Sequence, residues 1–189
     1  MKKTVLTFGL IGGAIMAAMM FATLPFLDKI GFDKGEIVGY TTMILAFMLV
    51  FFGIRSYREN VSGSQITFGR AFAVGILITL VACVCYVVAW EILYFKFMPD
   101  FVDKYASYMV EKVRTSGASQ QVIDAKLQEM KSFKAMYDNP FINAAITFTE
   151  PFPIGLIVTL ISAAILRKKT TAATRDDGRP AELQVQQET

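Results

Sequence analysis

The chain has 189 residues, of which 54% are hydrophobic and 19% are charged, and its formal net charge is +3. It contains no histidine, which excludes Ser-His-Asp and Cys-His catalysis and the helical zinc-protease motif. The small net charge and the absence of a basic stripe argue against a nucleic-acid partner. The sequence also lacks phosphate-binding and metal-binding loops, so we expect neither a cofactor nor a metal ion.

Four long apolar runs predict an all-α integral membrane protein that folds as a four-helix bundle. A helix of about 20 apolar residues is needed to cross a hydrocarbon core that is roughly 30 Å thick. The most apolar run ends at Trp90 and is followed directly by Glu91. We predict the four spans at about 4–27, 37–54, 68–97 and 141–166.

The first run begins after Lys2 and Lys3 and is longer than the apolar part of a signal peptide, so we interpret it as an uncleaved span. Gly9, Gly13 and Ala17 recur at a spacing of four residues. Such a strip of small residues allows two helix backbones to approach closely. Its partner is either another helix of this chain, which we favour, or a helix of a second copy.

Residues 28–36 separate the first two runs and carry two glycines and five charged residues, which predicts a tight turn in water or among lipid headgroups. Residues 98–139 have a different pattern, because apolar side chains recur about every fourth position among charged ones. This pattern predicts an amphipathic helical hairpin between the third and fourth spans, on the extracytoplasmic side. A lid over a ligand site is the alternative interpretation of the hairpin.

Residues 1–169 are therefore predicted to form one membrane domain, followed by a disordered cytoplasmic tail at 170–189 that has almost no large apolar residues. The basic residues close to the spans lie mainly at the end of the bundle that carries Lys2, Arg58 and Arg167. By the positive-inside rule, both termini are expected in the cytoplasm.

Two carboxylates interrupt the apolar runs. Glu91 follows Trp90, and Glu150 precedes Pro151 in the segment TFTEPFP. An ionisable side chain inside a span costs about 2.5–3.5 kcal/mol on insertion scales, so it is usually buried, paired or functional. We predict a polar intramembrane binding site formed by Glu91, Glu150, Trp90, Tyr94 and Thr147, in which at least one carboxyl group is protonated. The alternatives are that Glu91 reaches the membrane interface and that Glu150 marks an ordinary proline kink.

The segments GYTTMILAFMLVFFGIRSYREN, ITFGRAFAVGILITLVACVCYVVAWEI and FKAMYDNPF…TEPFPIGLIVTLISAAILRKK resemble a family of small bacterial inner-membrane proteins, catalogued as domain of unknown function 4199. The resemblance covers about residues 4–169. It implies a multi-pass inner-membrane protein with four helices and an external helical segment between the third and fourth spans. It implies no activity and no site residue.

Because no reactive constellation is present, we expect a non-enzymatic accessory or scaffold protein. Its expected partners are the lipid bilayer and either a second copy of the chain or another membrane protein. The first alternative is a small proton- or ion-coupled transporter that uses the intramembrane carboxylates, and the second is a membrane enzyme.

Overall fold

The computed structural model describes residues 1–168, and the predicted all-α class is confirmed for them. Four helical segments are long and apolar enough to cross a membrane: Lys2–Ile30, Phe32–Asn60, Phe68–Phe97 and Pro140–Leu166. We refer to them as the first to the fourth span. The tail predicted at 170–189 lies outside the described residues.

The first span consists of α1 (Lys2–Thr23), a 3₁₀ turn (Leu24–Phe26) and the short helix α2 (Leu27–Ile30). The second span is α3 (Phe32–Asn60), and the third is α4 (Phe68–Ile92) with a π-helical end (Leu93–Phe97). Two more polar helices follow, α5 (Phe101–Thr115) and α6 (Gln120–Tyr137). The fourth span is divided into α7 (Pro140–Phe148) and α8 (Pro151–Leu166).

The turn predicted at 28–36 is wrong in its extent. Only Gly31 interrupts the helices there, with φ 85° and ψ 149°, a conformation that glycine adopts without a steric penalty. Gly35 and the neighbouring charged residues belong to α3. Helices commonly extend beyond the hydrocarbon core into the polar interface, where charged side chains are no longer penalised.

The bundle is arranged around α3 and α4. The first-span helix α1 packs against both of them, and α8 packs against the same two helices. Their shared core contains the fully buried side chains of Phe47, Ile54 and Ile78. The α4–α8 contact also includes a hydrogen bond between the hydroxyl groups of Thr79 and Thr159 (3.0 Å), which satisfies two polar groups in the apolar interior.

The strip of small residues on α1 faces α4. A Cβ atom added to Gly9 would lie 2.7 Å from Cβ of Val81, and one added to Gly13 would overlap Cβ of Cys85. Ala17 packs against the same hydrophobic core. In this structure, the strip therefore serves a helix contact within the chain.

The two ends of the bundle are closed differently. At one end, the guanidinium group of Arg58 donates to the carbonyl oxygen of Leu166 (3.2 Å), at the end of α8. At the opposite end, α5 and α6 pack against each other through a small cluster that includes Val110 and Ile123. Lys112 of α5 forms an ion pair with Asp33 at the start of α3, which ties this helix pair to the spans.

Candidate functional site

A cavity of about 450 Å³ lies inside the end of the bundle that α5 and α6 cover. Its walls are formed by the second half of α1, the first half of α3, two turns of α4, and parts of α5, α6 and α7. Along α3, the lining residues Phe32, Glu36, Gly39 and Met43 recur at intervals of three or four. This is the helical period, so one face of α3 borders the cavity.

Glu150 lies in the cavity wall at the junction between α7 and α8. Pro151 begins α8, and because proline has no N–H group it interrupts the regular hydrogen bonding of the fourth span at this point. The hydroxyl group of Tyr86 donates to Oε2 of Glu150 (2.9 Å). Glu150 is nevertheless exposed, and it is one of the residues that line the cavity. Its carboxyl group can therefore contact a ligand.

Two further carboxylates, Asp33 and Glu36, line the cavity from the first turns of α3, and both are exposed. Nζ of Lys112 lies 2.9 Å from Oδ1 of Asp33 and 3.3 Å from the hydroxyl oxygen of Tyr108. The hydrogen bond to Asp33, followed by that to Tyr108, raises the pKa of Lys112, so its amine is charged at neutral pH. The described lining thus combines three carboxylates with one ammonium group, and within residues 1–168 no group of three His, Cys, Asp or Glu side chains is arranged to hold a metal ion.

The rest of the lining is mainly aromatic and sulfur-containing. The ring of Phe32 lies 5.0 Å from that of Tyr108 and 5.6 Å from that of Tyr105, measured between centroids, so α3 and α5 meet through tilted and edge-to-face rings. Trp90 forms an edge-to-face pair with Phe101 at 5.0 Å. Five methionines complete the walls: Met16, Met19, Met20, Met43 and Met109.

A buried hydrogen-bond network holds Trp90 in place. Its Nε1 donates to Oδ1 of Asn143 (2.8 Å), and the Thr147 hydroxyl donates to the same oxygen (3.2 Å). Nδ2 of Asn143 donates to the carbonyl oxygen of Tyr137 (3.2 Å). Burial raises the pKa of Tyr137 to about 12, so its hydroxyl group is protonated at neutral pH and lies 3.4 Å from that of Thr147. The network connects α4, α6 and α7 behind the cavity wall.

The structure places only some of the five residues of the predicted intramembrane site in the cavity lining. Glu150 and Trp90 line the cavity, whereas Glu91, Tyr94 and Thr147 are not among its described lining residues. The hydroxyl group of Tyr94 donates to Asp138 (3.2 Å), and Thr147 belongs to the buried network. Oε1 of Glu91 is buried without a hydrogen-bond partner among residues 1–168. A binding role for these residues stays a prediction.

Sequence reasoning did not identify Tyr86, Asn143 or Glu36. Tyr86 had a readable signal, because it precedes Trp90 and Tyr94 at a spacing of four, which places all three rings on one face of α4. Asn143 is an amide inside the last apolar run, which indicates a buried hydrogen-bonding role. Glu36 was assigned to a turn that the structure shows as helix.

A search of curated proteins and a search of solved structures found no similar chain. In contrast, the family model described as "Protein of unknown function (DUF4199)" matches residues 7–168. This range includes the cavity and the four spans except the first five residues of the first span, and it confirms the resemblance noted in the sequence. The chain therefore belongs to the DUF4199 family.

Proposed function

We propose that this protein is a small proton-coupled carrier of the inner membrane, which binds its solute in the cavity beside Glu150. The observation that carries this proposal is the position of Glu150, which lies at a helix break and lines a cavity of about 450 Å³. Ligand sites in proteins have volumes of about 300–1,000 Å³. Discontinuous membrane helices with polar groups at the break are common at transporter sites.

In this proposal, Glu150 binds either a proton or the solute. When the solute leaves, a proton neutralises the carboxyl group, so the empty carrier has no unpaired charge at membrane depth. Tyr86 supports the ionised form, because its hydroxyl group donates to Oε2 of Glu150. A carrier needs such an exchange to couple the movement of the solute to a proton gradient.

The cover over the cavity contacts α3 through an exposed ion pair and through aromatic rings. Lys112 and Asp33 are both exposed, with 58% and 63% of their side-chain surface accessible. Exposed ion pairs typically contribute about 0.2–1 kcal/mol. Opening the cavity to solutes would require the α5–α6 pair to separate from α3, which breaks this ion pair and the contacts of the Phe32 ring with Tyr105 and Tyr108.

The accessory or scaffold function makes no use of the cavity or of Glu150, so it accounts for fewer features of the structure. A membrane enzyme would need a second reactive group beside the carboxylate. The described contact of Glu150 is with Tyr86, a hydrogen-bond donor.

Reconstituted vesicles that contain a trapped pH-sensitive dye test the carrier proposal. Three external solutes of related size and different charge are added: tetraphenylphosphonium, tetraphenylborate and triphenylphosphine oxide. We expect at least one of them to change the internal pH faster with the wild-type protein than with Glu150→Gln or with protein-free vesicles. Equal rates in all three preparations, for every solute, would contradict the proposal.

A further inference from the structure

We infer that the cavity binds a lipophilic organic cation, whose charge lies near Glu150 and whose apolar groups contact the aromatic and methionine walls. This inference rests on the proposed solute-binding function and specifies the chemical class of the solute. It follows from three properties of the lining: its charge, its aromatic rings and its adaptable apolar surface.

The charge of the lining favours a cation. Among the described residues, neither Glu36 nor Glu150 forms an ion pair, whereas Lys112, the basic residue of the lining, is engaged by Asp33. An anion would face two unpaired carboxylates, and like charges brought close together repel each other. A cation would provide the counter-charge that both carboxylates lack.

The aromatic rings add a second attraction for the same charge. Three aromatic residues line the cavity: Tyr40, Tyr86 and Trp90. The hydroxyl group of Tyr86 donates a hydrogen bond to the Glu150 carboxylate. The face of an aromatic ring attracts cations that lie within about 6 Å of its centroid, and the attraction is stronger where the cation is desolvated. A carboxylate beside an aromatic ring suits an alkyl- or arylammonium-type cation. It suits a small hydrated ion less well, because that ion would have to lose its bound water.

The remaining walls are suited to the apolar part of such a molecule. Methionine side chains are flexible and polarisable, so a surface built from several of them adapts to ligands of different shape. Five methionines line this cavity. Glu36 is an exposed carboxylate of the lining without an ion pair among the described residues, so its charge adds to the attraction for a cation.

Trp90 supplies the reporter for the test, because it is the only tryptophan in the sequence and it lines the cavity. Its fluorescence is measured in the purified full-length protein, in a non-ionic detergent, while each of the three probes is added. Tetraphenylphosphonium and tetraphenylborate have the same shape and opposite charge, and triphenylphosphine oxide is neutral. We expect saturable quenching by tetraphenylphosphonium at a concentration at least tenfold lower than for the other two probes.

Two variants locate the bound cation. Glu150→Gln should weaken tetraphenylphosphonium binding at least tenfold, because the amide carries no charge. Gly39→Leu should do the same by filling the cavity, since a Cβ atom at Gly39 meets nothing within 4 Å and the longer side chain has room to extend. Gly69→Leu is the matched control: it is also a helical glycine with open space, it lies outside the cavity lining, and it should leave binding unchanged.

Three outcomes overturn the inference. In the first, tetraphenylborate or the neutral oxide binds as tightly as the cation, and Gly39→Leu abolishes this binding. The cavity would then bind ligands without a preference for cations, which leaves the carrier proposal intact. Cation binding that survives both Glu150→Gln and Gly39→Leu would place the cation elsewhere. Absence of saturable binding for all probes would also contradict the inference. Conversely, specific cation binding without proton movement in the vesicles would refute only the carrier proposal.

Discussion

The carboxyl group of Glu150 occupies a position where the backbone itself is polar. Pro151 and Pro153 have no N–H groups, so carbonyl oxygens in the preceding turn lose their usual helical partners. The hydroxyl group of Thr149 donates to the carbonyl oxygen of Ile146 (2.6 Å) and satisfies one of the polar groups at this break. An ionisable side chain is easier to accommodate here than in a regular span, because polar groups and the cavity surround it.

Replacement of Glu150 by glutamine should leave the fold intact. The amide oxygen of glutamine can accept the hydrogen bond from Tyr86, so we expect the free energy of unfolding to change by less than about 1 kcal/mol. Thermal unfolding in detergent measures this change. Loss of the folded state in Glu150→Gln would show that Glu150 is an ionic structural partner, and the carrier proposal would lose its basis.

Asn143 should behave in the opposite way, as a structural residue. In Asn143→Leu, the indole N–H of Trp90 and the carbonyl group of Tyr137 both lose their partner in the interior. Each unsatisfied buried group costs about 1–3 kcal/mol, so we expect a loss of roughly 2–6 kcal/mol in the free energy of unfolding.

Asn60→Ala is the matched control for Asn143→Leu. The amide of Asn60 is exposed and donates to the carbonyl oxygen of Ser56 within its own helix. Its removal should change the stability by no more than about 0.5 kcal/mol. Similar stability losses in the two variants would contradict the buried network.

At the level of the helices, the closest approach between spans depends on glycine. The backbone of α1 lies so near to α4 that a side chain at Gly13 would overlap Cys85. Without a hydrophobic driving force between helices in lipid, such close packing is a main source of helix association. The contact between α1 and α4 should therefore be sensitive to the size of residue 13.

We expect Gly13→Leu to lower the free energy of unfolding by about 1–3 kcal/mol or to prevent folding, because overpacking displaces one helix from the other. Gly69→Leu should be neutral or slightly stabilising, since leucine has a higher helix propensity than glycine and the site is open. Unfolding of both variants in the same detergent provides the comparison. Equal stability would mean that α1 and α4 are not in close contact.

The helices and their ends were predicted from the sequence with different accuracy. Hydropathy identified the spans because each long apolar run must be helical in lipid, and Pro151 with Pro153 marked the break at Glu150. The extension of the helices on either side of Gly31 was missed, because charged residues such as Asp33 and Glu36 resemble a loop when only the apolar core is considered. The π-helical segment at Leu93–Phe97 has no sequence signal that we could identify.

For the whole molecule, the orientation in the membrane is a prediction that rests on the distribution of basic residues. Arg58 and Arg70 lie at the end of the bundle that also carries both ends of the described chain, so the positive-inside rule places this end in the cytoplasm. The α5–α6 pair would then lie on the extracytoplasmic side. A carrier in this orientation would have its cavity at the outward-facing end of the bundle.

Single cysteines at Gln65 and Ser116, introduced after Cys83 and Cys85 have been replaced by alanine, test the orientation. A membrane-impermeant maleimide added to intact cells should label the cysteine at 116 and leave the one at 65 unlabelled. Both positions are exposed, so both should react after the cells are permeabilised, which serves as the control. Labelling at 65 and protection at 116 would reverse the predicted orientation.

The cavity could not be predicted from the sequence. Its lining joins residues that are far apart in the chain, from Met16 on α1 to Glu150 after α7, and an empty volume depends on how seven helices pack rather than on any local pattern. The two carboxylates were predicted to share a site because both lie at similar distances along adjacent spans. Their helix faces differ, since Glu91 is one residue beyond Trp90 and so is turned about 100° around α4.

The most direct test of a cation site at Glu150 is the pH dependence of tetraphenylphosphonium binding, measured by Trp90 fluorescence. A proton and the cation compete for one carboxylate, and each must weaken the binding of the other by the same factor. The wild-type protein should therefore bind the cation more tightly as the pH rises, by up to about tenfold per pH unit while Glu150 titrates. In Glu150→Gln, binding should be weak and should depend on pH far less than in the wild type. A wild-type affinity that does not change with pH, or a variant that retains the wild-type profile, would contradict the account.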